Sequence, residues 1–328
     1  MYIHRNYGFA MTANWSKKPF LLGLAYALAV NVAIHFLAPN FSVPWQPVSV
    51  IGIAVAFYLG FKNNSSYDRT WEARKIWGGI VNSSRSFGAS TVSYIQGPDA
   101  SAVHRELLYR HIAWLTALRH QLRTHRSWEH DREAIRNDAM PGINERPGAL
   151  CTAEMEQFLA PAERAVVHTK SNMAVHLLHT QSLRLQQLRD AGYMEDFRHM
   201  DLNRHLVDLM AEQGRAERIK NFPFPRQYAS TALWLTLVFA AFVPLSMVEV
   251  FPHGSGWTYW LSPFLSALVI WVFFLMEMIG DYSENPFEGT YNDVPITAIA
   301  RGIEIDLREM INDRDIPGPV QPENGFLM

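Results

Sequence analysis

The chain has 328 residues, a formal net charge of −2 and a single cysteine, Cys151. This length allows one large domain or two, the balanced charge identifies no partner, and one cysteine excludes an intramolecular disulfide and is typical of a reducing compartment. The charged residues are nevertheless strongly segregated. Four stretches are almost free of charge, and a hydrophilic block at residues 62–226 separates the first two from the last two.

The four nearly uncharged stretches predict transmembrane helices, because each is close to the ~20 residues that cross a ~30 Å hydrocarbon core. They cover residues 20–38, 43–61, 228–251 and 257–280. The first is not a signal peptide, since it starts late, lacks a small-residue cleavage site and is followed almost at once by the second.

Positive charge predicts the orientation of these spans. The predicted hairpin loops at 39–42 and 252–256 contain neither Lys nor Arg. The ends of the spans that face the hydrophilic block and the N-terminus carry Lys17, Lys18, Lys62, Arg69, Arg215, Arg218, Lys220 and Arg226. By the positive-inside rule, both termini and the block are expected in the cytoplasm.

The second span carries the most informative pattern. Its apolar sequence VPWQPVSVIGIAVAFYLGF passes without a break into the polar run KNNSSYDRTWEARKIWG. Ile53, Phe57 and Phe61 recur every fourth residue, so on a helix they form one apolar stripe. The pattern favours a helix that lines a narrow passage. A packing seam or a lipid-facing stripe remains open from spacing alone, because membrane helices are apolar all round.

The cytoplasmic block reads as helical. Apolar residues at three- and four-residue spacing predict helices at residues 101–126, 152–167, 171–188, 193–218 and 295–311. Pro and Gly make residues 138–148 a loop and residues 312–328 an extended C-terminal tail. With no strand-like alternation, we predict an all-α membrane protein in which residues 1–311 form one unit, with helical cytoplasmic regions at 62–226 and 281–311.

Two charged features could carry chemistry. His176 and His179, with His199 and His205 downstream, would suit a metal enzyme, which bound zinc or iron would reveal. Because no HExxH or CxxC motif is present, we favour a solvated histidine surface with no metal and no catalytic residue. Glu277 lies near the inner end of the last span, where we favour a structural pairing, with an Arg as the suggested partner.

The segment after the last span contains oxygen ligands around NPFEGTYND. Calcium binding needs six to eight oxygens held in a turn. The carboxylates lack the alternation of a helix–loop–helix site. A cation site and a turn that satisfies its own polar groups both remain open.

Several segments together resemble the bestrophin family, with bacterial members nearest. They are LGFKNNSSYDRTWEARKIWG, ERIKNFPFPRQY, SENPFEGTYNDVPI and IARGIEIDLREM, and the resemblance covers about residues 15–311. It implies a homopentameric ion channel, with four transmembrane helices continuous with the cytoplasmic region. The matching neck positions are Ile53, Phe57 and Phe61. Counting back from the FPFP junction places a second, cytoplasmic constriction at Phe197.

The resemblance also sets expectations about ions and gating. An acidic run that binds regulatory calcium in animal members is reduced here to Glu288 and Asp293, a vestigial cation-binding turn, so we expect ion flow without calcium and no cofactor. The region 138–148 looks like an insertion. Partners would be the bilayer of the bacterial inner membrane and small monovalent ions, not nucleic acid. Bacterial resemblance favours a cation such as sodium over chloride.

The alternative to a channel is a non-conducting membrane scaffold or sensor, whose cytoplasmic helices would bind a protein partner.

Overall fold

The computed structural model describes residues 1–38, 40–130, 149–252 and 256–328. The predicted insertion at 138–148 lies outside these residues, as do parts of the predicted loops 39–42 and 252–256. The described residues are helical, with only isolated β-bridges from Phe326 to Tyr2 and Glu323. The prediction of an all-α membrane protein is confirmed.

The helices, in chain order, are α1 (Phe9–Leu37), α2 (Trp45–Tyr94), α3 (Ala100–Leu122), α4 (Ala149–Glu156), α5 (Pro161–His168), α6 (Met173–Asp190), α7 (Asp196–Asn221), α8 (Arg226–Val250), α9 (Ser262–Asp281) and α10 (Ile296–Met310), with a 3₁₀ segment at Gly256–Leu261 before α9. Among the described residues, four helices are long and apolar enough to cross a membrane, namely α1, α2, α8, and α9 together with its 3₁₀ segment. They cover the four predicted spans except for one or two residues at the ends of the first three.

Helix α2 joins the membrane part of the protein to the cytoplasmic part. Its 50 residues correspond to a rod of about 75 Å at 1.5 Å per residue. The first half packs on α8 and α9, where Val55 and Leu59 meet Phe239, Val243 and Ile270. The second half packs on α7, α10 and α3. Helix α1 packs on α9 and α8, so it lies on the outer side of the bundle.

The largest core lies below the membrane helices. Trp77 and Phe87 of α2 and Trp114 of α3 are fully buried in it. The Trp114 indole N–H donates to Gln213 Oε1 at 2.8 Å, so burial of this polar group leaves no orphan donor. This core fixes the cytoplasmic helices to the lower half of α2.

One predicted helix was wrong. Residues 152–167 form parts of two helices, because α4 ends at Glu156 and α5 begins at Pro161. A proline has no N–H and its ring clashes with the preceding turn, so it starts a helix more readily than it continues one. Helix α1 also begins before the apolar stretch, at Phe9.

The tail at 312–328 holds no helix but is tied to the rest of the chain. The Met1 amino group donates to Leu327 O at 2.6 Å, and Leu327 N donates to Met1 O at 2.8 Å. Phe326 is buried beside Tyr2 and Tyr291. Both ends of the described chain therefore lie together beside the C-terminal end of α9.

Candidate functional site

The predicted stripe on α2 is left largely uncovered by the rest of the chain. Ile53, Phe57 and Phe61 are 70%, 69% and 60% exposed, whereas Val55 and Leu59 on the packed face are 1% and 0% exposed. The Phe57 and Phe61 rings meet edge to face, with centroids 4.7 Å apart and planes at 83°. The three side chains therefore share one open face of the chain.

The same face of α2 becomes polar below the stripe. Asn64, Asp68 and Lys75 follow Phe61 by three, seven and fourteen residues, which keeps them near the same face of the helix, and they are exposed. Charged side chains at these positions require water. Helix α2 is continuous, and this face of it is apolar at Phe61 and polar at Asp68. The face therefore runs from the membrane into water.

Close packing on the opposite face holds this orientation of α2. A Cβ built on Gly52 would lie 2.7 Å from a ring carbon of Phe239 in α8. Real Cβ contacts are essentially never that short, so only glycine lets the two helices approach this closely at residue 52. By contrast, a Cβ at Gly60, near the stripe, would meet nothing within 4 Å among the described residues outside the helix's own backbone.

A buried ion pair fixes the cytoplasmic end of the stripe. Lys62, the residue after Phe61, places its Nζ 2.6 Å from Glu277 Oε1 and 3.8 Å from Asp281 Oδ1. Glu277 is thus structurally paired, as expected, but its partner is a lysine of α2 rather than an arginine. The pair joins α2 to α9 at the level where the membrane part of the protein ends.

His130 extends this network to the turn after α9. Its Nε2 donates to Asp281 Oδ2 at 2.8 Å, and its Nδ1 lies 3.2 Å from both oxygens of Glu288. Burial disfavours the charged ring, but the two carboxylates outweigh burial and raise the pKa of His130 to about 10. The imidazolium is therefore the form present at neutral pH.

Two carboxylates of the acidic turn after α9 are paired with cationic side chains from other segments. Asp293 accepts hydrogen bonds from Arg123 Nη1 at 2.9 Å, Thr290 Oγ1 at 2.7 Å and the Gly289 amide at 2.5 Å. Burial raises the pKa of Glu288, and the contact with His130 opposes that shift. Glu288 and Asp293 are both buried, each beside a cationic side chain of this chain. Cations from other segments therefore neutralise Glu288 and Asp293, whereas Glu284 Oε2 and Asn285 Nδ2 of the same turn are buried without a hydrogen-bond partner among the described residues.

The histidines do not assemble as a metal enzyme would need. The His176 and His179 rings lie 6.4 Å apart, and His205 lies beside Ser90 and Asp201. Within the residues that the structure describes, no three His, Cys, Asp or Glu side chains come together to hold a metal ion.

Phe197 lies far from the stripe, at the start of α7. Its side chain is 84% exposed, and the next residue, Arg198, donates from Nη1 to Tyr94 O at the end of α2, at 3.3 Å. Phe61 and Tyr94 are separated by about 50 Å of helix. Sequence reasoning missed that Met200 and Val207, which are also exposed, extend an apolar strip along α7. Their spacing in the predicted helix could have suggested it.

Known proteins match this chain over most of its length. A family profile described as Bacterial/Fungal Bestrophin protein matches residues 17–309. The Voltage-dependent anion channel-forming protein YneE of Escherichia coli O157:H7 is 28% identical over 331 residues, covering 95% of this chain and 97% of its own length. A Voltage-dependent anion channel-forming protein of Ralstonia nicotianae, RSc3414, is 29% identical over 294 residues, covering 90% of this chain and 86% of its own length.

Solved structures show the same fold. A crystal structure of a bacterial Bestrophin homolog from Klebsiella pneumoniae superposes with a TM-score of 0.75 at 23% identity, covering 91% of this chain and 99% of that chain.

Proposed function

Because the chain belongs to the bacterial and fungal bestrophin family, we propose that five copies surround one central pore, lined at its narrowest part by Ile53, Phe57 and Phe61. The general function follows from the relatives and the family: the protein is a membrane ion channel and not an enzyme. The resemblance identified from the sequence is confirmed. The observation that carries the finer proposal is the uncovered apolar stripe of α2 that continues as a wetted polar face.

A ring of copies explains why this face is open. A single chain leaves three large apolar side chains above a polar strip. A face that points to lipid and a face that points to a pore would both show this pattern, and membership of the bestrophin family favours the pore. Head-to-tail contacts between identical copies form a closed ring when the rotation closes. In such a ring the face would converge on the axis, with three apolar rings above a polar vestibule. The number five comes from the family resemblance.

The neck would act as a hydrophobic gate. Apolar side chains offer an ion no replacement for its hydration shell, so a narrow apolar constriction conducts only when it is wide enough to stay wet. Opening then requires the α2 helices to move apart or to rotate. The Lys62–Glu277 pair and the contact of Gly52 with Phe239 couple any such movement to α9 and α8.

The sign of the permeant ion is the point on which our expectation and the relatives differ. The sequence resemblance favoured a monovalent cation, whereas the curated relatives carry the name of anion channels. Apolar rings by themselves select neither sign, but the edge of an aromatic ring is electropositive. The names of the relatives and the electropositive ring edges both favour a negatively charged permeant ion, so the proposed ion is a small monovalent anion such as chloride.

A second constriction at Phe197 belongs to the same proposal. The residue is exposed about 50 Å below Phe61 along α2, at the far end of the cytoplasmic helices. Five copies would place a ring of Phe197 side chains at the base of the vestibule. This assignment is supported by position and exposure.

Calcium would have no role in opening. The turn that matches the family's acidic run already holds Arg123 against Asp293 and His130 against Glu288. A divalent cation would have to displace two cationic side chains. We therefore retain ion flow without calcium as part of the proposal, with the protein in the bacterial inner membrane and both termini in the cytoplasm.

Reconstitution in planar bilayers tests the proposal directly. Under asymmetric sodium chloride the reversal potential gives the sign of the permeant ion, and a value at the chloride equilibrium potential supports the anion assignment. A value at the sodium potential would restore the cation expectation. A protein that assembles as a ring but passes no current would instead favour the non-conducting scaffold or sensor.

A further inference from the structure

Helix α7 leaves an apolar strip uncovered below the membrane helices. Met200, Val207 and Met210 are exposed, and Gly214 continues the strip seven residues after Val207. Contiguous apolar surface in an aqueous region marks a site of contact with another molecule. The strip therefore needs an occupant that the single chain does not supply.

Helix α7 runs antiparallel to the lower half of α2, and hydrogen bonds at both ends fix their register. Arg69 donates from Nη2 to Phe222 O at 3.0 Å, and Arg198 donates from Nη1 to Tyr94 O at 3.3 Å. A step back along α7 from Phe222 therefore matches a step forward along α2 from Arg69. By this register, Gly214 of α7 lies level with residues 77–78 of α2.

The residue of α2 at this level is also an uncovered glycine. Gly78 and Gly214 are both exposed. A Cβ built on either would meet nothing within 4 Å among the described residues outside the helix's own backbone. A glycine inside a helix costs about 1 kcal/mol relative to alanine, and neither glycine makes a close contact within the chain that would offset this cost.

The two glycines lie on opposite sides of the predicted pore face. Gly79 faces α7, because a Cβ built on it would lie 3.0 Å from the carboxyl carbon of Glu212. Counted from Phe57 at about 100° per residue, Gly79 lies about 40° to one side of the stripe and Gly78 about 60° to the other. Gly214 lies about 200° around α7 from Glu212, so it points away from α2.

We propose that the strip of α7 in one copy packs at Gly214 against α2 of the next copy at Gly78, as the cytoplasmic contact of the ring. Rotation about a central axis leaves every residue at its own height, so the α7 side of one copy meets the Gly78 side of its neighbour with both glycines level. Small residues on both helices let the backbones approach closely. The contact rests on the proposed ring, but the ring does not require this particular contact.

The charges on the two surfaces allow them to be buried together. The strip of α7 carries no charge. Residues 78–89 of α2 contain one charged side chain, Arg85, and its Nη2 already lies 2.7 Å from Asp306 Oδ2 of α10. Covering these surfaces therefore leaves no new charge without a partner, which is the main cost of burying polar surface.

Cysteine cross-linking tests the contact in the assembled protein. Gly78→Cys and Gly214→Cys are combined in one chain, and the protein in detergent is treated with a short bismaleimide. We expect a ladder of linked chains on a denaturing gel, up to the size of the full ring, because every chain offers both halves of the contact. Either single variant should give no linked chains, since the contact joins two different surfaces. The native Cys151 is buried and present in every variant.

The matched control combines Gly78→Cys with Met200→Cys. Met200 belongs to the same strip but lies fourteen residues from Gly214, or about 21 Å along the helix, so this pair should give no ladder. Equal ladders from both pairs would overturn the contact. Linked dimers from either single variant would also overturn it, because they indicate a two-fold contact.

Native mass spectrometry separates failure of the contact from failure of the ring. If the matched pair gives no ladder in protein with the mass of a ring, the contact is wrong and the ring stands. If the mass is that of one chain, both are wrong.

A bulky substitution tests whether the contact stabilises the assembly. Gly214→Trp should lower the temperature at which the ring dissociates, because its side chain forces the two helices apart. Asp208→Trp is the matched control, at an exposed position of α7 about 120° from Gly214, and it should leave that temperature unchanged. Helical circular dichroism checks the fold of each variant. Equal dissociation of the two variants would contradict the contact.

Discussion

Lys62 Nζ lies 2.6 Å from Glu277 Oε1 in an ion pair that is almost closed to solvent. The lysine follows Phe61 directly, so the pair fixes the end of the apolar stripe to α9. Two ions taken out of water in this way have lost their hydration, and their attraction offsets that loss only while both are present. The pair therefore specifies where α2 meets α9 more than it stabilises the fold.

Removing one partner should be costly. We expect Lys62→Met to destabilise the protein by about 3–5 kcal/mol, because it leaves Glu277 buried without a counter-ion. The matched control is Lys75→Met on the same helix. Lys75 pairs with Glu72 at 2.6 Å in an exposed position, where such pairs contribute about 0–1 kcal/mol. Thermal unfolding in detergent measures both, and Lys62→Met combined with Glu277→Leu should recover most of the loss. Equal effects of the two lysines would contradict the assignment.

The membrane architecture was predictable because its signals are local. A run of about 20 uncharged residues is sufficient to indicate a span, and the spacing of Ile53, Phe57 and Phe61 needs only the helix period. The break between α4 and α5 had a local signal too, since Pro161 was visible in the sequence. It was overlooked because the apolar pattern continued through it.

The connections around the turn could not be predicted in the same way. Lys62 and Glu277 are 215 residues apart in the chain. The sequence around either residue does not indicate the other as its partner. His130 reaches Asp281 and Glu288 from a segment with no motif of its own. Such partners follow from how the helices pack, so the sequence could indicate that Glu277 needed a cation but not which one.

The aromatic rings should limit conduction. Phe57→Ala and Phe61→Ala each remove an aromatic ring from the open face of α2. We therefore expect larger single-channel currents, and the current of the double variant should exceed that of either single variant. A barrier lowered by about 1.4 kcal/mol would raise ion passage about tenfold. Phe36→Ala, on an equally exposed aromatic of α1, is the control that should change nothing. Unchanged current in the double variant would mean that the stripe faces lipid or a packing seam.

Calcium should leave the current unchanged. Arg123 and His130 already balance Asp293 and Glu288, so currents recorded with a calcium chelator and with millimolar calcium should coincide. The Arg123→Gln variant should leave the Asp293 carboxylate without its cationic partner. If wild-type channels close on chelation, the pairing of Arg123 with Asp293 and of His130 with Glu288 is not the resting state of the channel.

Stability should depend on pH through His130. The pKa of its ring is raised from 6.5 to about 10, since the hydrogen bonds to Asp281 and Glu288 outweigh burial. The folded state therefore holds this proton more tightly than the unfolded state. The stabilisation is complete below about pH 6.5 and is lost as the pH rises through 10. We expect His130→Gln to lower the thermal midpoint strongly at pH 6 and progressively less toward pH 10, with the exposed His179→Gln as control. A constant difference across that range would exclude titration of His130.

Two glycines on α2 separate its packed face from its open face. Gly52→Ala would place a Cβ 2.7 Å from the Phe239 ring, and overpacking of this kind costs about 1–3 kcal/mol. In Gly60→Ala the added Cβ meets nothing within 4 Å among the described residues beyond the helix's own backbone, so within one chain the change should stabilise the helix by about 0.5–1 kcal/mol. Thermal unfolding compares the two, and bilayer recordings show whether Gly52→Ala, by pushing α2 away from α8, alters the neck. If Gly60→Ala lowers the stability as much as Gly52→Ala, a neighbouring copy packs against α2 at residue 60. The face of α2 that remains open to the pore would then consist of the stripe side chains alone.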